Sequence, residues 1–230
     1  MIPKKIHYCW FGNCPKPEDV LECIDSWRKL CPDYEIVEWN ESNFDIHINK
    51  YCEQAYSLKK WAFVSDVARL YALSTQGGIY MDIDVEVVRS FDDLLHHPAF
   101  FGFEGTQWVA TSTMAAEAGN PVLEKFMDHY AQRKFIKDDG SLDLDTNVMV
   151  LTALLTSEFG VKLDGKEQDH ASFHLFPTDY FTPYDYINGR LHKTDNTHAI
   201  HWFGQSWLKV KSWRQKLTQL YHRLTGQKME

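Results

Sequence analysis

Asp82, Asp84 and Glu86 are the residues of this sequence most able to carry chemistry. They alternate with apolar residues directly after an apolar run. A strand places every second side chain on one face, so this spacing predicts one strand over residues 79–88 with an acidic face. Two carboxylates at the carboxyl end of a strand can hold one hard divalent cation and leave positions open for phosphate oxygens. The alternative is a half-buried strand whose acidic face meets only water.

A charged pair lies on the helix predicted just before this strand. Asp66 and Arg69 are three residues apart, so a helix brings them to one face, beside its apolar stripe. An arginine there can bind a diphosphate through two parallel hydrogen bonds, and an aspartate can accept hydrogen bonds from sugar hydroxyls. The alternative is a surface ion pair, which contributes less than about 1 kcal/mol.

The elements that must position these residues alternate along the chain. Strands are predicted over residues 5–10, 34–39, 79–88, 100–103, 174–176 and 198–203, and helices over 18–30, 60–75, 121–132, 147–159 and 212–224. Such alternation favours an α/β fold with a largely parallel sheet. Glu104, at the end of one predicted strand, is a candidate for acceptor contact or a plain surface acid.

Composition narrows the functional classes. The 230 residues carry 24 basic and 32 acidic side chains, for a net charge of −8. Nucleic-acid binding depends on neutralising phosphates, so an acidic chain predicts no nucleic-acid partner. No apolar run approaches the length of about 20 residues needed to span a bilayer, and the N-terminus lacks the apolar core of a secretory signal. Cytoplasmic localisation is therefore expected.

Four segments together resemble a known family of enzymes. They are residues 2–12 (IPKKIHYCWFG), 62–69 (AFVSDVAR), 77–84 (GGIYMDID) and 201–207 (HWFGQSW). In this order they are similar to glycosyltransferase family 32, the DXD-containing sugar-binding family. That family includes capsular and lipopolysaccharide sugar transferases and yeast mannosyltransferases, and it is distantly related to the clostridial glucosylating toxins. The resemblance is firm over residues 2–105 and in the closing motif.

The resemblance implies a GT-A fold over residues 1–207, which is a nucleotide-binding α/β sandwich with a mostly parallel central sheet and a bound Mn²⁺ or Mg²⁺ ion. By position it implies that Asp66 and Arg69 hold the donor sugar and the diphosphate. The other roles that it implies are base stacking by Trp10, contact with ribose or sugar by Tyr80 and Asp82, metal ligation by Asp84 with Asp82 and His201, and closure over the diphosphate by Ser206 and Trp207. Asp82, Asp84, Arg69 and Trp207 would then be catalytic, through stabilisation of charge on the leaving diphosphate.

The predicted function is a metal-dependent, retaining transfer of a hexose from a nucleotide-diphosphate sugar, with UDP-hexose as the expected donor. The expected acceptor is a growing surface polysaccharide on a lipid carrier. One alternative is a glycoside hydrolase, which would use two carboxylates and no nucleotide. The other is a non-enzymatic sugar-binding module, which needs neither nucleotide nor metal.

The C-terminal segment 208–230 has a charge unlike the rest of the chain. Residues 208–229 contain six basic residues and no acidic residue. The rest of the chain, including Glu230, contains 18 basic and 32 acidic residues and has a net charge of −14. An apolar stripe at helical spacing accompanies the six basic residues. This pattern predicts a basic amphipathic helix on an anionic membrane surface, at the inner face of the cell membrane. The alternative is a helix whose stripe packs on the catalytic domain.

Overall fold

The computed structural model describes residues 1–204 and confirms the α/β class. Its strands are β1 Lys5–Cys9, β2 Glu35–Trp39, β3 Gly78–Met81, β4 Val85–Val87, β5 Ala99–Glu104, β6 Trp108–Val109, β7 Thr113–Ala116, β8 Gln168–His170, β9 Phe173–Phe176, β10 Tyr184–Asp185, β11 Arg190–Leu191 and β12 Ala199–His201. Its helices are α1 Glu18–Leu30, α2 Lys50–Ser57, α3 Trp61–Gln76, α4 Pro121–Ala131 and α5 Asn147–Phe159.

The central sheet is mixed but mostly parallel. Its strand order is β2-β1-β3-β7-β5-β9-β8, with β6 paired to β5. Strands β1, β2 and β3 run parallel, β7 is antiparallel to both β3 and β5, and β5 runs parallel to β9. Five of these eight strands (β1, β2, β3, β5 and β9) therefore share one direction, and the predicted sheet type is confirmed.

Apolar cores lie on both faces of the sheet. One contains α3 with residues of α2, α4 and α5, and the other contains α1. Trp27 of α1 is fully buried, and its indole nitrogen donates to the Val85 carbonyl at 2.7 Å. Truncating a buried aromatic side chain to alanine costs about 3–5 kcal/mol, so this contact holds α1 and β4 together.

A double glycine separates α3 from β3. Gly77 and Gly78 have φ values of 65° and 112°, a region that residues with a side chain rarely adopt. A Cβ on Gly77 would meet the Ala118 backbone nitrogen at 2.8 Å. The Gly-Gly turn therefore lets the chain reverse tightly, and it brings α3 against the sheet beside the strand that follows it.

The structure corrects the strand predicted over residues 79–88. It is divided into β3 in the central sheet and β4, which pairs with β12 in a separate two-stranded sheet. Asp82 and Asp84 lie in the turn between them, where Val85 N donates to the Asp82 carbonyl at 3.1 Å. The prediction of one continuous acidic face is wrong, because the chain leaves the sheet after Met81. Both aspartates still lie just beyond the carboxyl end of β3.

Other elements differ from the pattern-based predictions at a few points. Helix α2 and strand β7 were not predicted, and the strand predicted over 198–203 is β12, which pairs with β4. The helix predicted over 212–224 lies outside the described residues. Across residues 1–204, no helix is long and apolar enough to cross a membrane.

Candidate active site

Arg69 lies at the centre of a buried charged cluster. Its Nη2 is 3.1 Å from Asp66 Oδ1 and 3.3 Å from Asp82 Oδ1. Its Nη1 donates to the Thr111 carbonyl at 2.9 Å, and its Nε donates to the Ser65 carbonyl at 3.2 Å. The side chains of Arg69 and Asp66 are only 6% and 11% exposed. The alternative of a surface ion pair is therefore wrong.

Each nitrogen of the Arg69 guanidinium already has a partner within the protein. Its Cζ also lies 4.5 Å from the centre of the Tyr80 ring, a cation–π contact. Two parallel hydrogen bonds to a diphosphate would require Arg69 to exchange these partners. In this structure Arg69 holds Asp66 and Asp82 in place. Its predicted contact with the donor diphosphate stays a prediction.

Tyr80 also positions Asp82. Its side chain is 1% exposed, and its hydroxyl donates to Asp82 Oδ1 at 2.9 Å. Asp82 is held on its other side, where its backbone N–H donates to the Ser112 carbonyl at 2.8 Å. Tyr80, predicted to contact ribose or sugar, is thus buried beneath the site and orients a carboxylate there.

The pairing of β4 with β12 brings His201 beside Asp84. His201 is the partner of Val85 across the two strands, and its Nε2 lies 3.4 Å from Asp84 Oδ1. Asp84 Oδ2 accepts a hydrogen bond of 2.5 Å from the Gly204 N–H, and the Asp84 carbonyl accepts one of 3.0 Å from the Trp202 N–H. Asp84 therefore anchors the chain segment that follows β12.

Asp82, Asp84 and His201 form a group that fits a divalent cation. Each offers one ligand atom, and these atoms lie within 4.8 Å of one another. His201 Nδ1 is buried and has no hydrogen-bond partner among residues 1–204. Carboxylate oxygens suit Mg²⁺ and Mn²⁺, whereas an imidazole ligand is more typical of transition metals, so this donor set fits Mn²⁺ better. The structure thus brings together the three predicted metal ligands.

Burial and neighbouring charges shift the pKa values of these groups in different directions. Burial raises the pKa of Asp82, and the Asp84 charge adds to that shift. Burial also acts to raise the pKa of Asp84, but His201 and the Gly204 N–H outweigh it and lower the pKa. The pKa of His201 is raised because its two aspartate neighbours outweigh the effect of its burial. The site is therefore arranged around concentrated negative charge, which a cation would offset.

Trp10 lies at the same edge of the sheet as these aspartates. It follows β1, which runs parallel to β3 and lies next to it, so the carboxyl ends of the two strands meet. Its indole nitrogen donates to the Cys14 carbonyl at 2.7 Å, and the Lys16 Nζ lies 5.5 Å from its ring. Its stacking on a nucleotide base stays a prediction.

Glu104 joins the site from the end of β5. Burial raises the pKa of Glu104. Two members of the metal-ligand group also act on this carboxyl: the Asp82 charge raises its pKa and His201 lowers it. The Glu104 carboxyl therefore lies close enough to the metal-ligand group to interact with its charges. Its position at a strand end is the only sequence signal that indicated it. Ser206 and Trp207, predicted to close over the diphosphate, lie outside the described residues.

Comparison with known proteins bears on what such a site does. Residues 17–101 match the family described as "Glycosyltransferase sugar-binding region containing DXD motif". The chain carries a DXD glycosyltransferase region. The predicted resemblance to the DXD glycosyltransferases is confirmed, and the matched residues include two of its four segments, 62–69 and 77–84.

A relative of known name and two solved structures extend this DXD glycosyltransferase match. The chain is 32% identical over 130 residues to inositol phosphoceramide mannosyltransferase 3 of Schizosaccharomyces pombe, which covers 53% of the chain. The match spans only about a third (35%) of that relative's length. The structure is similar to the PaToxG glycosyltransferase, with a TM-score of 0.51, 23% identity, and coverage of 69% of this chain and 70% of that one.

The second structure is the glycosyltransferase GlyE of Streptococcus pneumoniae TIGR4, with a TM-score of 0.54 and 9% identity. It covers 96% of this chain and 60% of GlyE. At these identities the likeness shows the fold alone, and it confirms the predicted GT-A architecture. The predicted glycosyltransferase class is supported by the family match over residues 17–101.

Proposed function

We propose that this protein is a metal-dependent, retaining glycosyltransferase that moves a hexose from a nucleoside-diphosphate sugar to a glycan acceptor. The observation that carries the proposal is the grouping of Asp82, Asp84 and His201 within 4.8 Å at the carboxyl end of β3. The Asp66–Arg69 pair lies directly beside that group, within 3.3 Å of Asp82. A cation site can bind a diphosphate, and the buried Asp66 carboxylate beside it can accept hydrogen bonds from sugar hydroxyls. This arrangement suits a substrate in which a diphosphate is joined to a sugar.

DXD glycosyltransferases of the GT-A type generally use a divalent metal, and the donor set here fits one. When bound, the ion would neutralise charge that develops on the leaving diphosphate. Asp82 and Asp84 would hold it, and His201 would complete the protein ligands. Arg69 and Tyr80 keep Asp82 oriented for that task, so that little reorganisation is needed during reaction. The identity of the ion as Mn²⁺ is part of this proposal.

The chain's own residues suit a front-face substitution. Asp66 would accept hydrogen bonds from sugar hydroxyls, and Asp82 and Asp84 would hold the ion that binds the diphosphate end of the donor. The bond from the anomeric carbon to the diphosphate oxygen breaks, and the acceptor oxygen bonds to that carbon on the same face. The leaving phosphate oxygen takes the acceptor's proton. No protein nucleophile is required, and the anomeric configuration is retained.

We propose that Glu104 faces the acceptor. Its carboxyl is half-buried and is influenced by the charges of His201 and Asp82, and it can accept a hydrogen bond from an incoming hydroxyl. A surface polysaccharide on a lipid carrier remains the proposed acceptor, and UDP-hexose the proposed donor. The name of the yeast relative, a mannosyltransferase acting on inositol phosphoceramide, supports a lipid-borne acceptor and makes mannose a further candidate. Action at the inner face of the cell membrane would follow from the basic segment 208–230.

Nucleotide binding and turnover test the proposal against its alternatives. A ligand that binds the native state raises its stability, so UDP or GDP should raise the melting temperature only when Mn²⁺ is present. The protein should then hydrolyse at least one nucleotide sugar slowly without an acceptor. A glycoside hydrolase would act without nucleotide or metal, and a sugar-binding module would bind free sugar without turnover. Absence of any nucleotide effect with Mn²⁺ present would refute the proposal.

A further inference from the structure

Trp108 is an exposed tryptophan in β6, the strand that pairs with the end of β5. It is 44% exposed, and it is the only tryptophan among the exposed large apolar residues of positions 1–204. A single exposed apolar residue is common on protein surfaces and indicates no function by itself. The position of Trp108 in the β5–β6 hairpin is what connects it to the site.

The register of this hairpin places Trp108 on the same face as Glu104. The two residues are direct partners across the antiparallel strands, and the adjacent pair is Phe103 with Val109. Directly opposite side chains lie on the same face of a sheet, with Cβ atoms about 4.5–5.5 Å apart. Phe103 and Val109 are fully buried. They therefore point into the core, and Glu104 and Trp108 share the other face.

The chain that follows Trp108 leads directly into the charged cluster. The Thr111 carbonyl accepts a hydrogen bond of 2.9 Å from Arg69 Nη1, and the Ser112 carbonyl accepts one of 2.8 Å from the Asp82 N–H. The segment that carries the indole is thus the same segment that helps to hold Asp82 in place. Together with the pairing to Glu104, whose carboxyl interacts with the charges of the metal-ligand group, this places Trp108 beside the site.

Hydrogen bonds fix the hairpin on both sides of Trp108. The Thr178 hydroxyl donates to the Gly105 carbonyl at 2.7 Å, and the Val109 N–H donates to the Thr152 hydroxyl at 2.9 Å. The backbone before and after the indole is therefore held by other parts of the fold. A ligand that contacts Trp108 would not have to order this loop, which lowers the entropic cost of binding.

The chemistry of the segment favours a neutral ligand. Residues 105–112 (GTQWVATS) carry no charge, although 24% of the chain is charged. An anionic headgroup or an acidic peptide would find no basic residue in this segment and would meet the Glu104 carboxyl. An indole offers a flat apolar face with an N–H at its edge. A pyranose ring matches it, because its C–H groups form an apolar face and its hydroxyls lie at the edge.

We propose that the Trp108 indole is a stacking platform for the terminal pyranose ring of the acceptor, beside Glu104. The inference rests on the proposed function, and it narrows the acceptor to a neutral sugar ring rather than a lipid or protein hydroxyl. Trp108 binds the substrate and takes no part in the chemistry. It lies outside residues 17–101, which match the family, so the family match does not describe this platform.

Acceptor kinetics test the platform. Transfer is measured in Mn²⁺ from the nucleotide sugar that the wild-type protein hydrolyses fastest. The acceptors are lactose and the methyl pyranosides of glucose, galactose, mannose and N-acetylglucosamine. For the best of these acceptors, Trp108→Ala should raise the acceptor KM about tenfold through the loss of one stacking contact. The kcat should change little, because the contact is made equally in the ground and transition states. Affinity for the nucleoside diphosphate should not change.

Two conservative variants identify what the indole contacts. Trp108→Phe keeps a smaller flat ring and should recover most of the acceptor affinity. Trp108→Leu keeps apolar bulk without a flat ring and should behave like Trp108→Ala. Gln107→Ala is the matched control in the same hairpin, because the Gln107 amide donates to the Leu163 carbonyl at 3.4 Å. This control should leave the acceptor KM unchanged. Since Trp108 is exposed, all these variants should melt close to the wild-type temperature.

The possible failures are distinguishable. If no nucleoside diphosphate binds in Mn²⁺ and no nucleotide sugar is hydrolysed, the proposed function fails and the platform fails with it. If a donor is hydrolysed but no pyranoside accepts its sugar, the platform alone is refuted. It is also refuted if Trp108→Ala leaves the acceptor KM unchanged, or if Gln107→Ala raises the KM equally. A wild-type KM for Trp108→Leu would refute it as well, because a general apolar contact would then suffice.

Discussion

Replacement of Arg69 by methionine tests whether the buried charged cluster is held together as the structure indicates. Methionine keeps most of the apolar stem but removes the guanidinium. Asp66 and Asp82 then lose their shared cation, at 3.1 and 3.3 Å, and the Thr111 carbonyl loses its donor at 2.9 Å. The stability of the fold should fall even though the helix itself is unchanged.

The magnitude follows from burial. Removing one partner of a buried ion pair costs about 3–5 kcal/mol, because the remaining charge is left without compensation. We therefore expect Arg69→Met to lower the free energy of unfolding by about 4 kcal/mol near pH 8. Arg69→Lys keeps the charge but has only one nitrogen to serve four partners, so about half of that loss should remain, on the order of 2 kcal/mol.

The loss should depend on pH. Burial raises the pKa of Asp66 to about 6 in the wild-type protein, and Arg69 opposes that shift, so its removal raises the pKa further. A carboxyl whose pKa is raised by folding destabilises the native state increasingly as the pH rises toward the folded pKa. The wild-type penalty stops growing above about pH 6, whereas that of the variant continues to grow. The difference in stability should therefore be larger at pH 8 than at pH 5.5.

Urea unfolding followed by circular dichroism at the two pH values measures these differences. Arg28→Met is the matched control, because Asp25 and Arg28 are also three residues apart on a helix, at 2.7 Å, but their side chains are 71% and 61% exposed. That variant should lose less than about 1 kcal/mol, without pH dependence between 5.5 and 8. Equal losses for Arg69→Met and Arg28→Met would refute the reasoning from burial.

The remaining predictions concern the metal, the acceptor and the C-terminal segment. Asp84→Asn should abolish transfer and weaken Mn²⁺ binding in a titration, with Asp82→Asn nearly as damaging; if both variants keep more than about a tenth of the wild-type rate, the acidic turn is not a metal site. Glu104→Gln should slow transfer to an acceptor more than it slows hydrolysis of the donor, and an equal effect on both would remove it from the acceptor side. Trp207→Ala should lower kcat more than donor affinity, whereas a loss of about 3–5 kcal/mol in unfolding would indicate a packed core residue instead. A chain ending at Lys211 should stay active on soluble acceptors but no longer sediment with anionic liposomes; sedimentation of the shortened chain, or none by the full chain, would contradict membrane docking.

Local patterns were sufficient to place the two aspartates. An apolar run after a double glycine predicts a buried strand, and the carboxyl end of such a strand is a frequent ligand site. The structure agrees at Asp82 and Asp84, although they lie in a turn rather than on a strand face. The alternating pattern predicted one strand because Val85 and Val87 continue the apolar spacing of β3. These two residues instead belong to β4, which pairs with a different strand, β12.

The parts that could not be predicted depend on contacts far apart in the chain. Helix α3 is buried on most of its surface, so its apolar stripe does not reveal that Arg69 points inward toward the Thr111 carbonyl. Strand β7 has the short and unremarkable sequence Thr-Met-Ala-Ala, and only its neighbours β3 and β5 make it a strand. Tyr51 and Arg133 meet because α2 and α4 pack together, which no local pattern encodes.

The hydrogen bond between Asp84 and Gly204 joins residues that are 120 positions apart. Contacts of such long range generally form late in folding, because the entropy of closing a long loop must be overcome first. A chain emerging from the ribosome acquires β3 and its aspartates early, but it acquires His201 only after nearly all of the domain has been made. Full affinity for the cation requires all three ligands, so it would be reached only after the domain has folded. The ion would also link Asp84, next to β4, to His201 in β12. A higher concentration of the ion would therefore further stabilise the pairing of these two strands.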